Sequence, residues 1–127
     1  MTQENIKDLC SRLPYGVIVD TPKGKGHACD INFTIFGVEI GVNINTTVRD
    51  TFSINDVKPY LRPMSSMTEE EWEDYQKIRM IDWVHGDING TFINAGLIVD
   101  WLNAHHFDYR GLIPMGLAID ATNLNIY

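Results

Sequence analysis

Four side chains in the second half of the sequence have the chemistry of metal ligands: His85, Asp87, His106 and Asp108. Imidazole nitrogens and carboxylate oxygens bind zinc and other divalent metals. His105 and His106 are adjacent, however, and adjacent helical residues point about 100° apart, so they do not easily share one ion. No His-x-x-x-His or His-Glu-x-x-His spacing occurs. The sequence therefore favours a protein without a metal or other cofactor, and a small metal-dependent enzyme using the four side chains is an alternative.

The segment that follows the paired histidines brings three different polar groups together. Asp108, Tyr109 and Arg110 supply a carboxylate, a phenol and a guanidinium within three residues. Together with His106 and Tyr60 they are candidates for a polar binding site, provided that a cleft receives them. Their alternative role is to stabilise the turn after a helix. We favour the structural role, because no second acid or nucleophile can be assigned to the same place, and we predict no catalytic residues.

Residues 21–26, Thr-Pro-Lys-Gly-Lys-Gly, contain the local concentration of positive charge formed by Lys23 and Lys25. The segment lacks the Gly-x-x-x-x-Gly-Lys-Ser/Thr spacing of a phosphate-binding loop, so we predict an exposed β-turn. The chain as a whole carries a formal charge of -7, which argues against a general polyanion binder. Contact between the two lysines and a nucleic-acid backbone is a further alternative that is not favoured.

Composition and length predict one folded domain over residues 1–127. The chain is 44% hydrophobic and 21% charged, which is close to globular averages. Glu4, Lys7 and Asp8 lie where a signal peptide would need an apolar stretch, and no run of about 18 apolar residues occurs. We therefore expect a cytoplasmic protein with no membrane segment. Cys10 and Cys29 are too few for a disulfide framework and are expected to be buried thiols.

The elements that must position these residues change in type along the chain. Residues 1–13 place Ile6, Leu9, Cys10 and Leu13 at helical spacing, and Pro14 ends the pattern. Residues 14–62 contain short β-branched runs separated by turn signals, which predict a small β-barrel-like part. We expect the prolines of residues 55–63 to stop any long helix or central strand.

The clearest β pattern is a pair of alternating apolar sets that predicts a hairpin. The first set occupies odd-numbered positions and the second occupies even-numbered positions, so the alternation shifts by one residue between them. The sets are Cys29, Ile31, Phe33 and Ile35, and then Val38, Ile40, Val42 and Ile44. A two-residue turn at residues 36–37, or a four-residue loop with the same pairing, restores the phase and pairs Phe33 with Ile40 on one buried face.

Residues 63–127 form an acidic helical part. Thr68 and Glu71 have the spacing of a capping box at the start of one helix, and a second helix is predicted from Thr91 to His105. Residues 1–62 hold seven basic and seven acidic side chains, whereas residues 63–127 hold three basic and ten acidic ones. The whole negative charge therefore belongs to the helical part.

The predicted fold class is α+β, with a short helix, then a small antiparallel barrel or curled sheet, then two main helices. The order of strand, turn, long hairpin and closing Asp-Val-Lys-Pro-Tyr resembles SH3-like barrels. Two segments, KPYLRPMSSMTEEE (residues 58–71) and DWLNAHHFDYRGLIPMGLAIDA (residues 100–121), resemble a family of small uncharacterised proteins encoded by phages and prophages of gut bacteria of the Bacteroides group. The resemblance implies a mobile-element origin and a bacterial cytosol, without an activity.

The function favoured by these observations is a non-catalytic interaction module that binds a protein partner or itself. No catalytic set is recognisable, and small barrels commonly bind through the aromatic and loop surface at one side.

Overall fold

The computed structural model describes the backbone of residues 3–45, 48–85 and 88–127, and the side chains of residues 5–44, 48–79 and 96–127. This part of the chain combines three α-helices with one mixed sheet, which confirms the α+β class. The elements in chain order are α1 (Gln3–Arg12), β1 (Ile18–Thr21), β2 (Gly24–Thr34), β3 (Gly37–Asn45), β4 (Val48–Ser53), β5 (Lys58–Pro63), α2 (Glu69–His85), α3 (Ile88–Ala104), β6 (Phe107–Asp108) and β7 (Ile119–Asp120).

The sheet is open. Its strands follow the order β4-β3-β2-β1-β5-β6, and β7 also pairs with β5. The pairs from β4 to β5 are antiparallel, while β6 and β7 run parallel to β5. No pairing among the described strands joins β4 back to β6. The sequence predicted either a barrel or a curled sheet, and the described strands do not form a closed barrel.

Strand β5 corrects the expectation that the prolines exclude a central strand. It lies between β1 and the two short C-terminal strands, although it contains Pro59 and Pro63. Pro59 pairs with Val19, and β5 meets each neighbouring strand over only two residue pairs. Ladders this short need few amide donors, so the missing N–H groups of proline are tolerated.

The long hairpin of β2 and β3 forms, but its register differs by two residues from the predicted one. Phe33 pairs with Val38, and Ile31 pairs with Ile40, so the turn lies at residues 35–36. Ile40 is fully buried, whereas Phe33 lies beyond the core and is 72% exposed. The predicted Phe33–Ile40 pair and the burial of Phe33 are therefore wrong.

Local hydrogen bonds and a bulge explain the different register. The Thr34 hydroxyl accepts a hydrogen bond from the Phe36 amide (3.1 Å) and donates one to the Gly37 carbonyl (3.0 Å). Gly37 adopts a φ of 121°, which L side chains rarely adopt. At the other end, Cys29 lies at a β-bulge, which breaks the strict alternation that the sequence pattern assumes. Cys29 and Cys10 are both exposed, so their expected burial is wrong.

The hydrophobic core lies between one face of the sheet, α1 and the segment that precedes β7. Its fully or almost fully buried members include Leu9 of α1, Val19 of β1, Ile40 of β3, Leu61 of β5 and Leu112. Because α1 contributes Leu9 and the C-terminal part contributes Leu112, the N- and C-terminal parts of the chain share one core.

Helix α2 begins with the predicted capping box, while α3 begins earlier than predicted. The Thr68 hydroxyl accepts from the Glu71 amide (3.1 Å), and the Glu71 carboxylate accepts from the Thr68 amide (3.0 Å). Helix α3 starts at Ile88, three residues before Thr91, and includes Gly90. A glycine costs a helix only about 1 kcal/mol, so it does not by itself end one. No helix in the described part of the chain is long and apolar enough to cross a membrane.

A row of aromatic rings joins α2, α3 and β6. Trp72 contacts Tyr75, Tyr75 stacks on Trp101, and Trp101 stacks on Phe107 with ring centroids 5.8 Å apart. The Arg62 guanidinium covers the Phe107 ring at 4.3 Å from its centroid. These contacts hold the end of α3 and the start of β6 against the sheet.

Gly26 is required where β2 packs on β3, and this generates a prediction. A Cβ atom at Gly26 would lie 2.6 Å from the Asn43 carbonyl oxygen and 2.6 Å from a methyl carbon of Val42. We expect Gly26→Ala to lower the free energy of unfolding by about 1–3 kcal/mol, since the strand backbones must move apart. Chemical denaturation measures this change.

The matched control is Gly96→Ala, because a Cβ at Gly96 has open space around it. This residue lies inside α3, so we expect no loss and a gain of up to about 1 kcal/mol. Equal stability of Gly26→Ala and the parent protein would contradict the packing described.

Candidate functional site

A buried ion pair lies behind the segment that the sequence analysis singled out. Arg12 at the end of α1 is fully buried. Its Nε donates to Asp8 Oδ2 at 2.8 Å, and its Nη2 donates to the Phe107 carbonyl oxygen at 2.7 Å. The guanidinium also lies 5.1 Å from the centre of the Tyr109 ring. One side chain of α1 therefore holds both β6 and the residue after it.

The three predicted polar residues after α3 are engaged in the fold. The Asp108 carboxylate accepts from the Leu112 amide at 2.8 Å and from the Ile113 amide at 2.9 Å. The Tyr109 hydroxyl donates to Asn103 Oδ1 at 2.9 Å. Asp108 therefore closes the turn that follows β6.

Arg110 is directed toward the same buried ion pair. Its Nε lies 3.6 Å from Asp8 Oδ1, and its guanidinium lies 5.5 Å from the centre of the Tyr109 ring. Asp8 thus has a guanidinium on each side, Arg12 and Arg110. Sequence reasoning missed Asp8 and Arg12, because an acid and a base four residues apart on a helix are also typical of an exposed pair.

His106 and Tyr127 form a second contact that the sequence did not reveal. Their rings stack with centroids 3.6 Å apart and an angle of 11°. Burial lowers the pKa of His106 to about 4, and the positive charges of Arg12 and Arg62 act in the same direction. His106 is therefore neutral near pH 7, and its φ of 63° places it in the left-handed region.

The hydroxyl of Tyr127 joins two strands where their own pairing ends. It accepts from the Ile18 amide at 2.9 Å and donates to the Tyr60 carbonyl oxygen at 2.7 Å. Burial raises the pKa of Tyr127 to about 12, so the hydroxyl stays protonated and remains a donor. The contact spans more than sixty residues of sequence, so no local pattern could predict it.

The side chain of Tyr60 interacts with Lys25 and Asp20. It is buried, its ring lies 5.2 Å from Lys25 Nζ, and burial followed by the nearby Asp20 carboxylate raises its pKa. The other lysine of the predicted nucleic-acid turn, Lys23, lies 3.4 Å from Asp50 Oδ2. Both lysines thus have a contact within the protein, and the nucleic-acid alternative stays a prediction.

The metal alternative is only partly covered by the structure. The side chain of His85 and the whole of Asp87 lie outside the described residues. Within the described residues, no three His, Cys, Asp or Glu side chains converge as metal ligands. Asp108, moreover, already accepts two backbone hydrogen bonds.

Two clefts occur near the C-terminal segment, and Ile126 lines both. The polar cleft has a volume of about 350 Å³ and is lined by Arg62, Ser66, Thr68, Glu71, Ala121, Thr122, Asn123, Asn125, Ile126 and Tyr127. The apolar cleft has a volume of about 530 Å³ and is lined by Ile18, Lys25, Gly26, His27, Asn43, Ile44 and Ile126. Of the predicted site residues whose side chains the structure describes, only Lys25 lines either cleft.

An ion pair forms the wall of the polar cleft. Arg62 donates two hydrogen bonds to the Glu71 carboxylate, at 2.8 and 2.6 Å. The Arg62 bonds, with the Thr68 bonds of the capping box, hold the pKa of Glu71 at about 2. Both charges of the wall are therefore neutralised within the protein.

The largest exposed apolar feature on the described hairpins is the end of β2 and β3. Phe33, Ile35 and Phe36, hereafter the hairpin tip, are 72%, 94% and 89% exposed. Strand β4 pairs with β3 only as far as Glu39, so the tip extends beyond its neighbouring strand. The sequence pattern contains these three residues, but it assigned Phe33 and Ile35 to the core because the register was wrong.

No protein-family model, curated protein or solved structure matches this chain. The resemblance to phage proteins and to SH3-like barrels thus stays a prediction, and function must be argued from the residues.

The Arg62–Glu71 pair generates a prediction about pH. The pKa of Glu71 falls from 4.5 to about 2 on folding, so the unfolded chain binds more protons between these values. The stability that this pair contributes is complete above pH 4.5 and is lost as the pH falls toward 2. We expect the parent protein to lose about 1–2 kcal/mol more than Glu71→Gln over this window, after allowance for partial solvent screening. Denaturation at several pH values measures the difference.

Glu69→Gln is the control, because Glu69 is an exposed carboxylate in the same helical turn. It should keep the parent's pH profile. A Glu71→Gln profile parallel to that of the parent would contradict the role given to the ion pair.

Proposed function

We propose that this protein is a non-catalytic interaction module that binds another protein, or a second copy of itself, through the hairpin tip. The observation that carries the proposal is the exposure of three large apolar side chains within four residues at the tip. Exposed apolar patches of this kind mark interaction sites, and aromatic side chains dominate the energy of protein interfaces.

The contacts of the tip support a binding role over a folding role. Thr34 holds the turn through its own hydroxyl, and Gly37 supplies the backbone conformation. Ile35 and Phe36 are therefore not needed to form the turn, and they lie outside the hydrophobic core. Leaving such side chains in water is costly unless a partner covers them.

The contacts that the other candidate residues make within the fold also favour the hairpin tip as the binding surface. Asp108 and Tyr109 donate or accept hydrogen bonds within the fold, and Arg110 faces Asp8. Tyr60 is buried. These residues are better explained as parts of the scaffold that presents the hairpin.

The proposed setting is the cytoplasm of a bacterial cell that carries a phage or prophage. This part of the proposal depends on the resemblance of residues 58–71 and 100–121 to phage and prophage proteins.

The test compares the parent with the tip variant Phe33→Ser/Ile35→Ser/Phe36→Ser. Because the replaced side chains are exposed, each substitution should change the free energy of unfolding by less than about 0.5 kcal/mol. The immobilised parent should retain either a bacterial protein or added soluble parent protein, and the immobilised tip variant should retain neither. Once purified, that protein should bind the tip variant at least about tenfold more weakly than the parent.

Met115→Ser is the matched control, since Met115 is 53% exposed and lies on a different surface loop. It should bind like the parent. The proposal fails if neither a bacterial protein nor a second copy of the chain binds in a manner that depends on the tip.

A further inference from the structure

We propose that the partner of the hairpin tip is a second copy of this chain, and that each tip occupies the apolar cleft of the other copy in a two-fold dimer. This inference rests on the proposed function and identifies its partner. It starts from the fact that one chain carries both a protruding apolar group and an apolar cleft.

The cleft has the chemistry and the size to receive the tip. Three isoleucines, Ile18, Ile44 and Ile126, supply its apolar surface. Its volume of about 530 Å³ is in the range of sites that take small molecules, and one or two tip side chains can enter it. The remaining tip side chain would then cover the rim.

The position of the cleft favours a reciprocal contact. Gly26 and His27 of β2 line the cleft, and Phe33 on the same strand belongs to the tip. Phe33 lies seven residues after Gly26, which corresponds to roughly 20 Å because the bulge at Cys29 adds a residue without extending the strand. When a two-fold axis passes between the middles of the two hairpins, the tip of each copy lies at the cleft of the other copy. This is the self-complementary arrangement of symmetric dimers.

Charges beside the two surfaces are complementary. Lys25 lines the cleft, and Glu39 lies next to the tip, directly opposite Asn32 in the hairpin. No ion-pair partner of Glu39 occurs among the described side chains. An antiparallel pair of hairpins brings Glu39 of one copy toward Lys25 of the other. Residues 1–62, which contain both surfaces, have no net charge, so the acidic helical parts need not meet.

The exposed area decides between a one-way and a reciprocal contact. Three side chains with this exposure present roughly 450 Å² to a partner. Stable interfaces bury about 1,200–2,000 Å² in total, so the contact of a single tip is too small to form one. Participation of both tips doubles the contact area, which favours the reciprocal arrangement.

Sedimentation velocity from about 1 μM to about 1 mM protein tests the inference. The parent and Met115→Ser should form a dimer, and Ile35→Ser/Phe36→Ser should raise the dissociation constant at least about tenfold. Lys25→Glu and Glu39→Lys should each weaken the dimer at low salt, and the double variant Lys25→Glu/Glu39→Lys should restore it. A parent protein that is monomeric throughout, a dimer unaffected by the tip substitutions, or no rescue in the double variant would overturn the inference.

Cross-linking tests the symmetry. With Cys10→Ser and Cys29→Ser as the background, because both thiols are exposed, Asn32→Cys and Asn43→Cys place one thiol beside the tip, opposite Glu39, and another at the cleft. Oxidation should yield covalent dimers only. A ladder of trimers and larger species would indicate head-to-tail contacts and overturn the two-fold arrangement.

The two proposals fail separately. In one outcome, the parent protein is monomeric and yet binds a bacterial protein that the tip variant does not bind. That result excludes a second copy of the chain as the partner, and the proposed function still holds. A chain that binds neither a bacterial protein nor itself through the tip contradicts both.

Discussion

The buried charge of Arg12 is the constraint on which the C-terminal half of this structure depends. Removing a guanidinium from water costs several kcal/mol unless it is paired and hydrogen-bonded. Arg12 meets this requirement through Asp8 on its own helix and through the Phe107 carbonyl oxygen. Arg12 thereby joins helix α1 to strand β6. Removal of the Asp8 carboxylate would leave a guanidinium buried without a counter-ion, which costs about 3–5 kcal/mol.

Several neighbouring features follow from that constraint. Arg62 donates its amide hydrogen to the His106 carbonyl oxygen at 2.8 Å, which sets β6 beside β5. Burial, and then the positive charge of Arg12, lowers the pKa of His106. Its neutral ring stacks on Tyr127. The segment that offers the most chemical groups is consequently held by several hydrogen bonds within the fold. The hairpin tip, at the far end of the sheet, has none of these constraints and is free to meet a partner.

Local patterns in the sequence predicted the elements that depend on local interactions. The spacing of Leu9 and its neighbours predicted α1, and the Thr68–Glu71 capping box predicted the start of α2, because residues three or four apart meet on one helix. The hairpin register was not predictable in the same way. It depends on the Thr34 hydroxyl and on the bulge at Cys29, and neither interrupts the apolar alternation in the sequence.

The candidate site was predictable only in part. The structural role of Asp108 followed from its place before a turn. The sequence pattern did not predict contacts between distant parts of the chain. Examples are the contacts of Arg12 with Phe107 and of Tyr127 with Tyr60. The burial predicted for Phe33 and Ile35 was wrong because alternation identifies a face of a strand but does not say where the core ends.

Native-state amide hydrogen exchange tests most directly the claim that the polar segment is scaffold and the hairpin tip is the free surface. The amides of Leu112 and Ile113, which donate to Asp108, should exchange only when the whole protein unfolds. In dilute monomeric protein, the amides of residues 35–37 should exchange through local opening at a much lower free energy. Exchange of the Leu112 and Ile113 amides at free energies well below that of global unfolding would contradict the account, because it would make the polar segment the mobile part of the molecule.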